Sequence, residues 1–139
     1  MLFTEETLKI FNDSLKRCQA DSLFLTRFYQ EFVITNAEVR KKFINTNMHN
    51  QKMMLHASLY MIMIATQQNK AASVYLEQIA NKHSKSELNI SPDLYGYWLE
   101  SLMKTVSEID PEYSEEIEEA WRTVMGYGIE YMKSKYDGD

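Results

Sequence analysis

Ile79-Ala80-Asn81-Lys82-His83, then Ser84-Lys85-Ser86-Glu87-Leu88-Asn89-Ile90-Ser91, then Pro92-Asp93-Leu94-Tyr95: read in these three pieces, residues 79–95 decide the fold class. In the first piece Ile79, Ala80 and His83 continue a stripe begun by Val74 and Leu76, at the spacing of one helical face. The second piece, 84–91, is polar and reads as a loop. In the third, Pro92 stands where its missing N–H does no harm, the first turn of a helix, with Ser91 before it as the cap. The helix it starts carries Tyr95, Trp98, Leu99, Leu102, Met103 and Val106 until Asp110-Pro111 breaks the chain. Helix follows helix here with no strand between them.

The same period extends in both directions. Leu8, Phe11, Leu15 and Cys18 predict a first helix over 4–19, capped by Thr4. Asp21 or Ser22 caps a second, whose stripe is Leu25, Phe28, Tyr29, Phe32 and Val33. Thr35-Asn36 interrupts the pattern, and Val39 and Phe43, at i and i+4, mark a short third helix. The Asn-rich segment 44–50 reads as a loop. A long helix then starts near Asn50, with Met54, Leu55, Leu59, Ile62 and Met63 as its buried face, and the segment 67–70 ends it. The last helix runs from about Ser114 to Tyr136, with Ile117, Ala120, Trp121, Val124, Gly128, Ile129 and Met132 facing inward. Trp98 and Trp121 read as core residues, and the many methionines as filling for an irregular helical core. Glu115, Glu116, Glu118 and Glu119 form a solvated first turn that suits the helix macrodipole. The expected architecture is all-α, six to seven helices around one core, in a single domain over residues 1–139.

Composition excludes several functions. With Gly 4 and Pro 2, the chain has too few turn residues for an all-β fold of 139 residues. A net charge of −5 leaves no basic surface for nucleic acid. The densest basic cluster, Arg40-Lys41-Lys42, reads as a solvated helix end. Cys18, the only cysteine, can form neither an internal disulfide nor a multi-cysteine metal site. The N-terminus MLFTEETLKI is acidic where a secretory signal is basic, and the apolar run from Leu59 to Ala65 is too short to span a bilayer. A cytoplasmic protein without membrane or nucleic-acid partners is expected.

One succession of residues is more specific. Phe28-Tyr29 precedes Asn36-Ala37-Glu38 and then Phe43; a loop leads to Gln51 and Leu55; Lys82-His83 ends a later helix; Ile90-Ser91-Pro92-Asp93-Leu94-Tyr95 follows; Ala120-Trp121 lies early in the last helix. From about Leu25 to Met132 this order resembles the bacterial globins, above all the globin domain of flavohaemoglobins and their single-domain relatives. The resemblance implies a globin fold, with helices crossing around a pocket for haem b, iron protoporphyrin IX. It implies His83 as proximal ligand of the haem iron, and Tyr29 and Gln51 as the distal pair beside a bound gas. It also implies Phe43, Leu55, Ile79, Ile90 and Tyr95 as residues against the haem. Arg40-Lys41-Lys42 then has a second reading, contact with the haem propionates.

The chain departs from that pattern in places. Ala37 stands where many globins have Pro, and the stretch between His83 and Tyr95 is about two residues longer than in flavohaemoglobins. The late glutamate that meets the proximal histidine and tyrosine in flavohaemoglobins has no counterpart; Glu130 comes too early. No FAD- and NAD-binding reductase follows before Asp139.

Haem iron takes an axial nitrogen from a neutral imidazole, whose other N–H is held by a carbonyl or carboxylate. Of three histidines, His56 follows Leu55 by one residue and is rotated about 100° from it, so it points elsewhere. His49, just before Gln51, stays open as a sixth ligand. The implied function is binding of O₂, with NO and CO as further ligands, for oxygen binding or for oxidation of NO to nitrate as an NO dioxygenase with an external reductase. A gas sensor and a haem-free interaction module are the alternatives. The missing glutamate weakens any expectation of peroxidase-like activity. A monomer or a homodimer is expected, the latter through residues 92–136.

Overall fold

The computed structural model describes residues 3–138. They form seven helices: α1 (Glu5–Gln19), α2 (Phe24–Val33), α3 (Ala37–Phe43), α4 (Met48–Ala65), α5 (Lys70–Lys82), α6 (Leu94–Ile109) and α7 (Glu115–Ser134). No strand occurs among the described residues. The all-α expectation holds, at the upper end of the helix count.

Most boundaries follow from caps. Thr4, Asn36 and Ser114 each turn a side-chain oxygen onto a backbone N–H of the next turn, satisfying donors that the helix itself leaves open. The same device at Asn47 starts α4 at Met48, two residues ahead of the expected Asn50. Asn69 likewise takes the N–H of Ala72, so Lys70 opens α5 rather than closing α4. Two cap expectations fail. Ser91 does not cap α6: residues 91–93 form a turn in which Leu94 donates to the carbonyl of Ser91, and Pro92 lies before the helix. Asp21 takes the N–H of Leu23 in a turn, and α2 opens at Phe24 without a side-chain cap.

α2 packs chiefly on α6, α4 on α5, and α1 on α7. The core between them holds Trp121, Phe11, Phe24, Phe28, Leu15, Leu59 and Leu102, all fully buried. Phe11 and Phe24 both meet Trp121 edge-on, joining α1 and α2 to α7. Trp98 is only half-buried, against Phe28. Two residues read as inward-facing are not in the core: Met54 is 49% exposed and Val74 47%. α4 is apolar on most sides, so periodicity alone could not decide which flank would be covered.

A buried polar network ties the two ends of the chain together. Asp110, 3% exposed, follows α6. Arg17 clamps it with two hydrogen bonds (2.7 and 3.0 Å), and Ser14 donates to it at 2.6 Å. The indole N–H of Trp121 donates to Ser14 at 2.9 Å. The sequence marked Asp110 only as part of a break.

Gly128 lets α7 approach α4. A Cβ there would lie 3.1 Å from two carbons of Ile62, a β-branched side chain with little rotamer freedom in a helix. Replacing Gly128 with valine should therefore destabilise the protein by about 2 kcal/mol through overpacking. Denaturant titration with an unchanged m-value would show it; an unaltered midpoint would mean that Ile62 yields freely.

Candidate functional site

Helices α2 to α7 leave a cleft of about 170 Å³ between them. The eight residues that the resemblance placed at the site line it: Tyr29 from α2, Phe43 from α3, Gln51 and Leu55 from α4, Ile79 from α5, His83 at its end, Ile90 from the loop, and Tyr95 from α6. Residues far apart in the chain are thus brought to one space.

On one side stands His83, the C-cap of α5. Its Nδ1 lies 2.8 Å from the carbonyl oxygen of Ile79. A carbonyl can only accept, so Nδ1 carries the proton and Nε2 keeps a lone pair. Burial lowers the imidazole pKa and so favours the neutral ring; the Ile79 bond opposes this and the Lys82 charge assists it. No carboxylate touches this histidine among the described residues; a backbone carbonyl holds it.

Tyr29, 5% exposed, meets Gln51 through a 3.1 Å bond in which the amide Nε2 donates to the phenol oxygen. The tyrosine proton is left for another acceptor. Burial pushes the Tyr29 pKa up to about 12, against a smaller lowering by Gln51, so the phenol stays protonated near neutrality. Phe28 and Phe43 stand edge-on to its ring at 4.9 and 5.5 Å and fix its plane.

The remaining walls are largely apolar. α7 contributes Gly128, Ile129 and Met132, which were read as inward-facing but not as part of a cavity, and Met125, which the sequence reading missed although it completes the same i, i+3, i+4, i+7 face. Met54 lines the cleft as well, which accounts for its exposure. Lys42 and Lys82 bring positive charge to the lining; Arg40 and Lys41 remain exposed, as expected of a helix end. Trp98, expected only in the core, also lines the space.

His49 corrects an open expectation. It is exposed and lies with His56, Lys52 and Gln19 in a separate surface depression beside α1 and α2. It does not line the cleft that His83 faces. His56 is exposed, turned from the cleft by its offset from Leu55.

Comparison with known proteins identifies the family and the fold. A family model described as Globin matches residues 26–132. A solved structure from Pseudomonas aeruginosa PAO1, described as structurally highly homologous to a human haemoglobin, is similar with a TM-score of 0.90. It is 32% identical in sequence, and the match covers 95% of this chain and 99% of that one. No curated protein matches the chain.

Proposed function

Because the chain belongs to the globin family, whose members generally bind haem, we propose that residues 1–139 form a single-domain globin holding haem b on His83, with Tyr29 and Gln51 stabilising a gas on the opposite side. The observation that carries the reading is the pairing of a neutral, carbonyl-oriented imidazole with a buried phenol–amide pair in one apolar cleft. Among the described residues no group of three or more His, Cys, Asp or Glu could hold a metal ion. A metal on His83 therefore needs its other ligands from a non-protein group, and a porphyrin supplies four nitrogens. Lys42 and Lys82 would face its carboxylates. An open cleft, rather than one packed with side chains, argues against the haem-free module.

When bound, the haem supplies an iron able to take a diatomic ligand. The chain supplies the rest. His83 donates Nε2 while the Ile79 carbonyl fixes its ring. Tyr29 presents a hydroxyl proton, aimed by the bond from Gln51, to any ligand atom that draws negative charge; the low-dielectric surroundings strengthen that interaction. Leu55 and Phe43 exclude water. O₂ draws more charge than CO, so the pair favours O₂.

The finer function we propose is O₂ binding with NO detoxification, in which NO, O₂ and one electron give nitrate and a separate reductase provides the electron. Cytoplasmic location fits that chemistry. Tyr29→Phe should raise the O₂ dissociation rate roughly tenfold or more, the loss of one hydrogen bond to developing charge, with CO release much less affected. Stopped-flow replacement of O₂ by CO measures both. Equal effects on the two gases would remove Tyr29 from this role. For the NO reaction, the reduced, air-equilibrated protein should yield one nitrate per haem on addition of NO; no nitrate would leave gas binding alone.

A further inference from the structure

The loop 84–90 joins His83 to Ile90, both on the cleft; the N–H of Leu88 donates to the carbonyl of Lys82 and Lys42 to the carbonyl of Leu88, and one exposed residue, Asn89, carries three further ties. Asn89 has φ 53, the left-handed region that asparagine tolerates better than other side chains. Each of its polar groups meets a different part of the molecule. Its N–H donates to the carbonyl of Ser84 (2.8 Å), its carbonyl accepts from Nζ of Lys42 on α3 (2.9 Å), and its Oδ1 accepts from the hydroxyl of Tyr136 (2.6 Å). Tyr136 lies past the end of α7, and its carbonyl also accepts from the N–H of Lys85 (2.8 Å). The next residue, Ile90, donates to the carbonyl of His83 at 3.0 Å.

We propose that Asn89, through its bond with Tyr136, is a positioning residue for the His83 imidazole; the inference rests on the reading of His83 as an iron ligand. His83 caps α5 just after its last residue, Lys82; its N–H donates to the carbonyl of Ile79 at 3.0 Å, but its carbonyl has no further helical turn to meet and accepts from Ile90 instead. Leu88 and Asn89 are exposed, so little apolar packing keeps the loop in shape if its hydrogen bonds go. Losing the Tyr136 tie leaves Asn89 held only through its backbone, by Ser84 and Lys42, and so loosens Ile90 and, through it, the backbone from which the imidazole projects.

Two single changes delete the same bond from opposite ends. Asn89→Gly keeps the left-handed backbone and removes the acceptor; Tyr136→Phe removes the donor and leaves the loop's own sequence intact. Asn89→Asp keeps an acceptor and should behave as the parent protein. The readouts, on the haem-loaded full chain, are the histidine–iron stretching band of the ferrous protein by resonance Raman and the rate of hemin transfer to an apoglobin acceptor. Each single change should broaden or shift the band and speed hemin loss roughly three- to tenfold, and the double change should do no more than either alone. Unchanged band and hemin loss in both single variants, even with lowered thermal stability of the apoprotein, would overturn the inference and reduce the contact to a structural one. Additive effects in the double variant would overturn it too, since the residues would then act separately. A parent protein with no histidine–iron band would instead refute the ligand assignment on which the inference depends.

Discussion

The His83→Ala variant should purify as a folded, helical protein without stoichiometric haem. His83 lines the cleft with a protonated Nδ1 tied to Ile79 and a free Nε2. No second histidine reaches that space, because His49 and His56 are both exposed on another side of the molecule. The other potential ligands along the lining are thioethers (Met54, Met125, Met132), two lysines, and the phenols of Tyr29 and Tyr95, whose burial favours their protonated form. None takes the place of an oriented imidazole. Haem-to-protein ratio and the reduced spectrum check the loss, and added free imidazole should restore a five-coordinate spectrum to hemin that enters the truncated site. Circular dichroism should stay helical, since the helix end is held mainly by backbone bonds of residues 79–90. A variant with its full haem complement and an unaltered spectrum would refute the assignment.

A second large effect is expected far from the cleft. Asp110→Ala should cost about 3 kcal/mol of stability, the usual penalty for breaking a buried pair from one side. The change strips Arg17, Ser14 and the N–H of Glu112 of their shared acceptor and leaves the Trp121–Ser14 bond unsupported. Burial by itself would raise the Asp110 pKa, but the bonds from Arg17, Ser14 and Glu112, with the Arg17 charge, outweigh it and hold the carboxyl below the ordinary value of 3.8. A depressed carboxyl stabilises the folded state fully above its unfolded value and loses that contribution as pH falls through the folded one. The gap between parent and variant should thus be constant near neutrality and close only below about pH 4. Urea titrations at several pH values would show this. A gap that is absent at pH 7, or that persists unchanged at low pH, would mean that the ion pair contributes little.

The site was legible through the resemblance to bacterial globins, since each residue alone also had an ordinary structural reading. A phenol at Tyr29 and an amide at Gln51 stand on helical faces otherwise lined by apolar groups, and His83 ends a stripe of Leu76 and Ile79. The order of these residues with Phe43, Leu55, Ile90 and Tyr95 was enough to predict that they share one space. Lys42, Asn89 and Tyr136 carried no such mark. Their role depends on a positive φ, a side chain reaching across to a carbonyl and a chain end folded back, none of which leaves a period in the sequence.

The caps show the same division. Thr4, Asn36 and Ser114 act as helix starts over the neighbouring few residues, and local chemistry suffices to read them. Ser91 has the right residue type and the wrong geometry, because the turn before α6 is set by what His83 and Ile90 require of the loop.

Helix content and the inward stripes followed from the sequence alone, since backbone hydrogen bonding and the 3.6-residue period act between neighbours, and the candidate ligand followed from the sequence's resemblance to bacterial globins. Only tertiary structure decided that Met54 and Val74 lie outside the core, that Gly128 faces Ile62, that His49 is kept from the cleft, and that Asp110 joins α1 to the end of α6. Each of those facts is a contact between segments remote in the chain. Such contacts are set by how whole helices cross and exclude water, a balance that no short stretch of residues contains.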